Sequence, residues 1–422
     1  MAITTEPYYE ILPAYRPVKF LAQINVDATV YQTENAVVSI YKGGVLLAVV
    51  RYKVSYYAAA TPPTNDYFFE IDIQKYCQDS LAPDTSAPIP NVFAESGVGV
   101  TYCPDAYAEY HIVITYEGVD LVTGLLEDMG ISADTSSTFT VVSSTTQHTE
   151  SPNLFYYFGT IGFTNGHCLT KSSRNISICA DDNTYLTYIM PNSTTTGMEV
   201  KLYDSSNTLL SQGIARKDLP TTHSLASMNI GVASLAATTY IAGTPNFADP
   251  NLSYYTVTFG TPVNLMPWVL VRHTDIFTFT INGGCCGRAS LRFHWLNLLG
   301  GVDSYTFNSE KDYQIKTNSE TGRKSLTWAI GSIDPFPVSD FGGFKYNSQA
   351  SSSFKLRSKY LSNADATWLQ DLLVSPKVYV DLEGQLVPVI IEDTEQSIDR
   401  QNGRIRYEIT AKMANDYIIQ RV

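Results

Sequence analysis

The sequence predicts a mainly β, multidomain protein: two antiparallel β-sandwich domains followed by a mixed, β-rich C-terminal domain with one short helix. Three observations carry that expectation. At 422 residues the chain is too long for one ordinary domain. Its 29 Tyr and 18 Phe, with abundant Thr, Ser and Val, suit half-buried pleated surfaces better than helices. Apolar and polar residues alternate over strand-sized stretches that Gly, Asn and Asp clusters interrupt. Hydrophobic residues make up 44% and charged residues only 16%, a balance that argues against both disorder and coiled coil.

Residues 1–148 read as the first sandwich. Phe20 to Val26, Ala36 to Tyr41 and Val45 to Tyr52 alternate as strands, and Lys42-Gly43-Gly44 joins the last two as a hairpin. Tyr67 to Ile71 is another strand. Asp72 then caps a short helix with Ile73, Tyr76, Cys77 and Leu81 at helical spacing, ended by Pro83. His111 to Glu117 alternates again, and the Ser/Thr-rich stretch from Ser143 to Thr149 marks a boundary.

Residues 152–281 read as a second sandwich, with strands at Asn153 to Phe158, Leu169 to Cys179, Tyr185 to Met190, Met198 to Asp204, Thr256 to Val263 and Leu270 to Ile281. Turn clusters such as Asp181-Asp182-Asn183 and Asp204-Ser205-Ser206-Asn207 separate them. Gly283 to Gly287 forms a flexible junction. Residues 288–422 form the third segment. There Asn363 caps a helix with Trp368, Leu369, Leu372 and Leu373 on one face, Ser375-Pro376 stops it, and Val378 to Val380 and Leu386 to Ile391 pair about Glu383-Gly384. Asn402-Gly403 then turns into Ile405 to Ala411.

Charge narrows the partners. The net charge of −13 is the wrong sign for broad contact with phosphate backbones, so nucleic acid is not expected. Residues 1–150 hold 6 basic and 18 acidic side chains, whereas residues 151–422 hold 22 and 23, which sets the N-terminal module apart as an acidic face. Met1 to Pro7 lacks the basic start and apolar run of a secretory signal, and no apolar stretch approaches the length of a spanning helix. Membrane insertion is therefore not expected, and Cys77, Cys103, Cys168, Cys179, Cys285 and Cys286 are expected as reduced thiols.

No motif points to bond-making chemistry. Gly283-Gly284-Cys285-Cys286-Gly287 lacks the Lys-Ser or Lys-Thr of a phosphate loop. His167, Cys168, Cys179, Cys285, Cys286 and His294 match no zinc spacing, with neither a Cys-x-x-Cys nor a His-x-x-x-His pair present. There is no Gly-x-Ser-x-Gly elbow and no His-Glu-x-x-His helix, and the pairs Asp181-Asp182 and Glu392-Asp393 sit in turn-like or exposed contexts. The expectation is a protein without catalytic residues, cofactor or metal.

The most distinctive stretch runs from Leu291 to Phe307. Alternation buries Leu291, Phe293 and Trp295 on one face, Gly300-Gly301 permits a sharp reversal, and Tyr305 and Phe307 re-enter a sheet. Asp303 is placed to accept backbone hydrogen bonds across that turn. The string Trp295-Leu296-Asn297-x-Leu299-Gly300-Gly301-x-Asp303-x-Tyr305-x-Phe307 resembles one that recurs in tail-associated virion proteins of tailed bacteriophages infecting Bacteroidota. Phe69 to Tyr76 is similar to a strand-plus-helix passage near the start of such proteins. Leu169-Thr170 with Ile178-Cys179 and Tyr185-Leu186 resembles their middle, and Trp368 to Leu373 with Ser375-Pro376 and Val387 to Ile391 resembles their end.

What the resemblance implies is a structural protein of the virion tail, part of a tail, baseplate or tail-associated ring, assembled in the host cytoplasm. It implies as partners copies of the chain itself and neighbouring tail proteins. Trp295, Leu296, Asn297, Gly300, Gly301, Asp303, Tyr305, Phe307, Trp368 and Pro388 are then candidates for structural or interface roles. Low charge and many aromatics suit surfaces destined for burial against neighbours. The alternative is a receptor- or carbohydrate-binding tail module that meets host surface glycans through Tyr8-Tyr9, Tyr56-Tyr57 or Tyr156-Tyr157.

Overall fold

The computed structural model describes residues 2–7, 11–27, 29–59, 64–81, 100–102, 106–144, 168–190, 196–217, 224–264, 268–282, 290–307, 312–323, 343–382, 385–399, 404–414 and 417–418. The protein is mainly β, with 29 strands and three helices among the described residues. It divides into two compact units. The first comprises Met1–Ile281 with Asn297–Asp303, and the second Asn282–Leu296 with Ser304–Val422.

Within the first unit, one core lies between a four-stranded sheet and a seven-stranded sheet. Strands Ala2–Thr5, Lys19–Asp27, Thr64–Asp72 and Tyr56–Ala59 form the smaller sheet. Tyr31–Lys42, Val45–Lys53 and Tyr107–Asp120 dominate the larger one. Period-2 alternation explains the packing. Phe20, Ile24, Phe69 and Ile71 from one sheet meet Val38, Ile40, Ile112 and Ile114 from the other, and the Phe69 ring lies 5.6 Å from that of Tyr116. The turn at Gly43 (φ 55°) and Gly44 (φ 80°) has two left-handed residues, the geometry that matches the twist of its flanking strands, and Lys42 pairs with Val45.

A second core follows in residues 168–281. Strands Thr196–Tyr203, Leu209–Lys217 and Tyr254–Asn264 build a seven-stranded sheet that shares this core with a three-stranded sheet of Tyr185–Met190, Ser224–Asn229 and Val100–Tyr102. The Tyr188 ring stacks on Phe259 at 4.4 Å. Most pairs are antiparallel, but Ile11–Pro13 runs parallel to Phe139–Val142, and Asn175–Ile178 parallel to Phe277–Ile281. The long strands expected over 169–179 and 270–281 are shorter. The former is confined to Asn175–Ile178, and the latter is split into Trp268–Arg272 and Phe277–Ile281 where Thr274 Oγ1 accepts the Phe259 N–H at 3.0 Å. Cys179 is disulfide-bonded, which corrects the expectation of reduced thiols throughout, while Cys77 and Cys168 are free and buried.

The second unit is an eight-stranded sheet packed against helix Asn363–Val374. Its core gathers Phe293, Trp295 and Phe307 with Leu356, Trp368, Leu372, Val380 and Ile409. Both helix caps expected from sequence move by one residue. Ser362, not Asn363, caps the C-terminal helix, its Oγ accepting from the Asp365 N–H at 3.2 Å. Ile73 occupies the cap position of helix Gln74–Ser80, while Asp72 Oδ1 still accepts the Gln74 N–H at 2.9 Å. Pro388 pairs in register with Tyr379, and its carbonyl accepts from the Ala414 N–H.

Trp295 is fully buried, with its ring centroid 5.3 Å from that of Trp368. Trp295→Ala is expected to cost about 3–5 kcal/mol by denaturant unfolding. An unchanged unfolding midpoint would show that the ring anchors no core.

Candidate functional site

The most constrained polar geometry lies in the reversal 297–303, the segment of the sequence motif that belongs to the first unit. Asn297 is buried, and one amide serves three backbone groups. Its Oδ1 accepts from the N–H groups of Leu299 (3.0 Å) and Gly301 (2.9 Å), and its Nδ2 donates to the Leu169 carbonyl at 2.7 Å. The backbone closes the same turn: Asn297 N–H donates to Gly301 O, and Gly300 N–H to Asn297 O. Val302 N–H donates to Thr187 Oγ1, whose hydroxyl donates to Ser227 Oγ at 3.1 Å.

The two glycines are required sterically. Gly300 has φ 86°, and a Cβ there would stand 2.7 Å from the Ser143 carbonyl oxygen; at Gly301 a Cβ would stand 2.2 Å from that of Leu169. Ile11, Val142, Leu169, Ile189 and Leu299 form a small apolar cluster around this turn. The N–H groups of residues 299 to 302 are taken by Asn297 and Thr187. Asp303 is itself buried. Asn side chains commonly accept from backbone N–H groups two residues on, as Asn297 does from Leu299, so this much was readable in the sequence. Thr187 and Leu169 carry no comparable signal.

The flanking strands carry buried polar side chains of the second unit. The strand Leu291–Leu296 was expected to bury alternate residues, but Arg292 and His294 are buried as well. Arg292 Nη1 donates to Thr306 Oγ1 at 2.6 Å, and His294 Nδ1 lies 2.8 Å from Ser304 Oγ. Burial holds the His294 imidazole well below its ordinary range, and the Arg292 cation adds to the effect. The Trp295 indole N–H is buried without an acceptor. Tyr305 packs edge-on to Phe307 at 4.9 Å and to Trp368 at 6.1 Å, and burial pushes its phenol up to about 12. Leu296 is half-buried, its N–H donating to Lys377 O. The motif thus divides between a closed turn and a packed aromatic wall.

Other sequence candidates do not converge. Burial raises the Cys77 thiol to about 12 and the Cys168 thiol further, the behaviour of inert core thiols. Among the described residues, no three His, Cys, Asp or Glu side chains gather where a metal ion would sit. Asp182 Oδ2 caps the Cys179 N–H at 2.9 Å, and Glu392 faces Lys412 at 4.0 Å. The Tyr56 ring stacks on Phe68 at 4.5 Å. His167, Cys103, Cys285-Cys286 with their glycines, Tyr8-Tyr9 and Tyr156-Tyr157 lie outside the described residues, as do the strand expected at Asn153 to Phe158, Pro83, Glu383-Gly384 and Asn402-Gly403.

Two measurements test this region. Asn297→Ala strips partners from three backbone groups and is expected to cost about 3 kcal/mol or more in chemical unfolding, since each buried unmet group costs about 1–3 kcal/mol. Asn297→Asp keeps the acceptor but aims a carboxylate at the Leu169 carbonyl, so it too is expected to destabilise at pH 7. For His294 the neutral form is favoured in the fold. Its contribution is therefore complete above the unfolded value near 6.5 and is lost as pH falls below it. His294→Gln is expected to flatten the stability decline between pH 7 and pH 5. An identical slope in both chains would remove His294 as its source. Neither a protein-family model nor a curated protein matches this chain, so the functional reading rests on its own residues.

Proposed function

We propose that this chain is a non-catalytic structural protein of a tailed-phage virion, part of a tail, baseplate or tail-associated ring, built by contacts with its own copies and with neighbouring tail proteins. The sequence resemblance over Trp295 to Phe307 suggests the setting. The observation that carries the assembly role is strand Val45–Lys53. It ends its sheet among the described strands, and it exposes Val45 (71%), Leu46, Leu47 and Val49 (53%). An apolar edge strand offers unpaired backbone groups and aliphatic side chains together, and chains that remain alone ordinarily blunt such an edge. Here only the far end is charged, where Arg51 is paired with Glu117 at 2.9 Å. A neighbour's strand laid along this edge would satisfy both backbone and side chains.

Recognition of host glycans is the second reading. Exposed Tyr56 uses one ring face against Phe68 and leaves the other for a sugar ring. The two readings separate by mass and composition. The assembly role predicts several copies of the chain per purified particle by quantitative mass spectrometry, with weakened incorporation of Val49→Lys. A chain absent from particles, or monomeric in solution and retained on a glycan column through Tyr56, would overturn it.

A further inference from the structure

In the seven-stranded sheet of the first core, exposed aliphatic side chains gather at opposite ends of strand Tyr31–Lys42. The first group is the turn after strand Tyr107–Asp120, at the end where Tyr31 pairs with Asp120. Val122 (89% exposed), Leu125 (61%) and Leu126 project from it, followed by exposed Glu127 and Asp128. The turn is fixed despite its exposure. Five consecutive N–H groups are satisfied: Leu121 to Val30 O, Val122 and Thr123 to Asp120 Oδ1 (2.6 and 3.0 Å), Gly124 to Asp120 O and Leu125 to Thr123 Oγ1. Gly124 supplies the left-handed residue at φ 68°. A turn ordered in this way loses little freedom on binding.

The second group lies at the Lys42 end, where the hairpin enters the edge strand. Ile40 pairs with Ala48 but Tyr41 pairs with Leu46, so Leu47 is an extra residue in a β-bulge. Strict alternation would send either Leu46 or Leu47 to the core. With the bulge both are exposed, next to exposed Val49, while Ala48, Val50 and Tyr52 pack against the core. The patch continues onto Tyr41, whose ring stacks on that of His111 at 4.7 Å. From Ala48 onward the ladder is regular, so exposed Arg51 and Lys53 share the face of Val49, about 7 and 13 Å along the strand.

Charge is divided between the same two places. Of the six Lys and Arg in residues 1–150, Lys42, Arg51 and Lys53 belong to the hairpin and none lies beyond residue 75, whereas residues 106–144 carry six acidic side chains. Arg51 also holds Glu117 of its own chain, which leaves Lys53 the freer cation. An anionic lipid surface or a nucleic acid would be repelled by the turn. Turn against turn, or hairpin against hairpin, would set like charges together. The turn of one copy against the hairpin of another sets aliphatic on aliphatic and acid beside base.

We propose that the turn Leu121–Leu126 of one copy seats on the Leu46, Leu47 and Val49 patch of the next, with Glu127 and Asp128 facing Arg51 and Lys53, a head-to-tail contact between identical chains. The inference names the partner of the edge strand in the assembly role proposed above and rests on that role. Because turn and patch are different surfaces, the contact is heterologous, so it generates a ring where its rotation closes and a filament where it does not.

The test is light-scattering mass of the full-length chain over a concentration series, with melting temperatures to show that each variant folds. The wild-type chain is expected to self-associate, and more weakly at high salt. Val122→Asp, which spoils the turn, and Leu46→Asp, which spoils the patch, are each expected to be monomeric alone at an unchanged melting temperature. Mixed, they are expected to form a 1:1 dimer and nothing larger, because the intact turn of one meets the intact patch of the other. Self-association that survives either substitution, or a mixture that stays monomeric, would overturn this contact while leaving the assembly role standing. A wild-type chain that is monomeric throughout, yet present in several copies per particle, would do the same. Monomeric wild type that sediments with phosphatidylcholine vesicles, and loses them on Val122→Asp, would overturn the contact by making the turn a lipid anchor. Absence from particles would remove the assembly role as well.

Discussion

A chain that reverses direction inside a protein takes its backbone N–H and C=O groups out of water, and each must find a partner there. At Asn297–Asp303 one side-chain amide meets most of that requirement, with Oδ1 held by two N–H groups and Nδ2 on the Leu169 carbonyl. Thr187 takes the next N–H, and the glycines bring the backbone within reach of the Ser143 and Leu169 carbonyls. Three pieces of sequence far apart, near residues 143, 169 and 187, are thereby joined to one turn. Total stabilities of folded domains are about 5–15 kcal/mol, so a few unmet groups of about 1–3 kcal/mol each would consume a large share. The constraint is chemical as much as steric: Asn supplies an acceptor and a donor from one planar group, which neither Asp nor Leu does.

The same accounting explains which features were legible in the sequence. Gly43-Gly44 announced a hairpin because only left-handed residues match the twist of two flanking strands, and both adopt positive φ. Gly300-Gly301 announced a reversal for a mixed reason: Gly300 alone adopts positive φ, while Gly301 leaves room for the Leu169 carbonyl. The caps moved by a residue because Ser362 and Asn363 are both competent, and only the position of Asp365 decides between them. Strand Leu209–Lys217 escaped notice: Gly213 interrupts its pattern, though it is there because Pro245 and Tyr240 pack where a Cβ would lie. Burial of Arg292 and His294 was invisible to alternation, which assumes that one face of a strand meets water. Here both find partners on the returning strand, Arg292 in Thr306 and His294 in Ser304, on a face that is buried as well.

Polar side chains inside and aliphatic ones outside form one pattern in this protein. Asn297, Thr187, Arg292 and His294 are enclosed and hydrogen-bonded, whereas Val45, Leu46, Val49, Val122 and Leu125 stand in solvent. Scattered exposed aliphatics need no explanation, but runs of them on an edge strand and on a fixed turn do. In the proposed assembly, burying such residues against a neighbour would contribute about 25 cal/mol per Å² of apolar surface.

Geometry then links the two surfaces. The edge strand begins at the Gly43-Gly44 turn, and the exposed turn Leu121–Leu126 lies beside Val30, immediately before strand Tyr31–Lys42. That strand therefore separates them as a spacer of 12 residues, about 40 Å at the rise of an extended chain. Residues 35–42 are paired on both sides, to Val45–Lys53 and to Tyr107–Asp120, and residues 31–33 to Tyr107–Asp120 alone, so the strand cannot shorten without breaking ladder hydrogen bonds. Contacts made at its two ends are thus held at a fixed separation by the sheet itself. In the proposed assembly such a strut would transmit position, where a flexible linker would transmit only proximity.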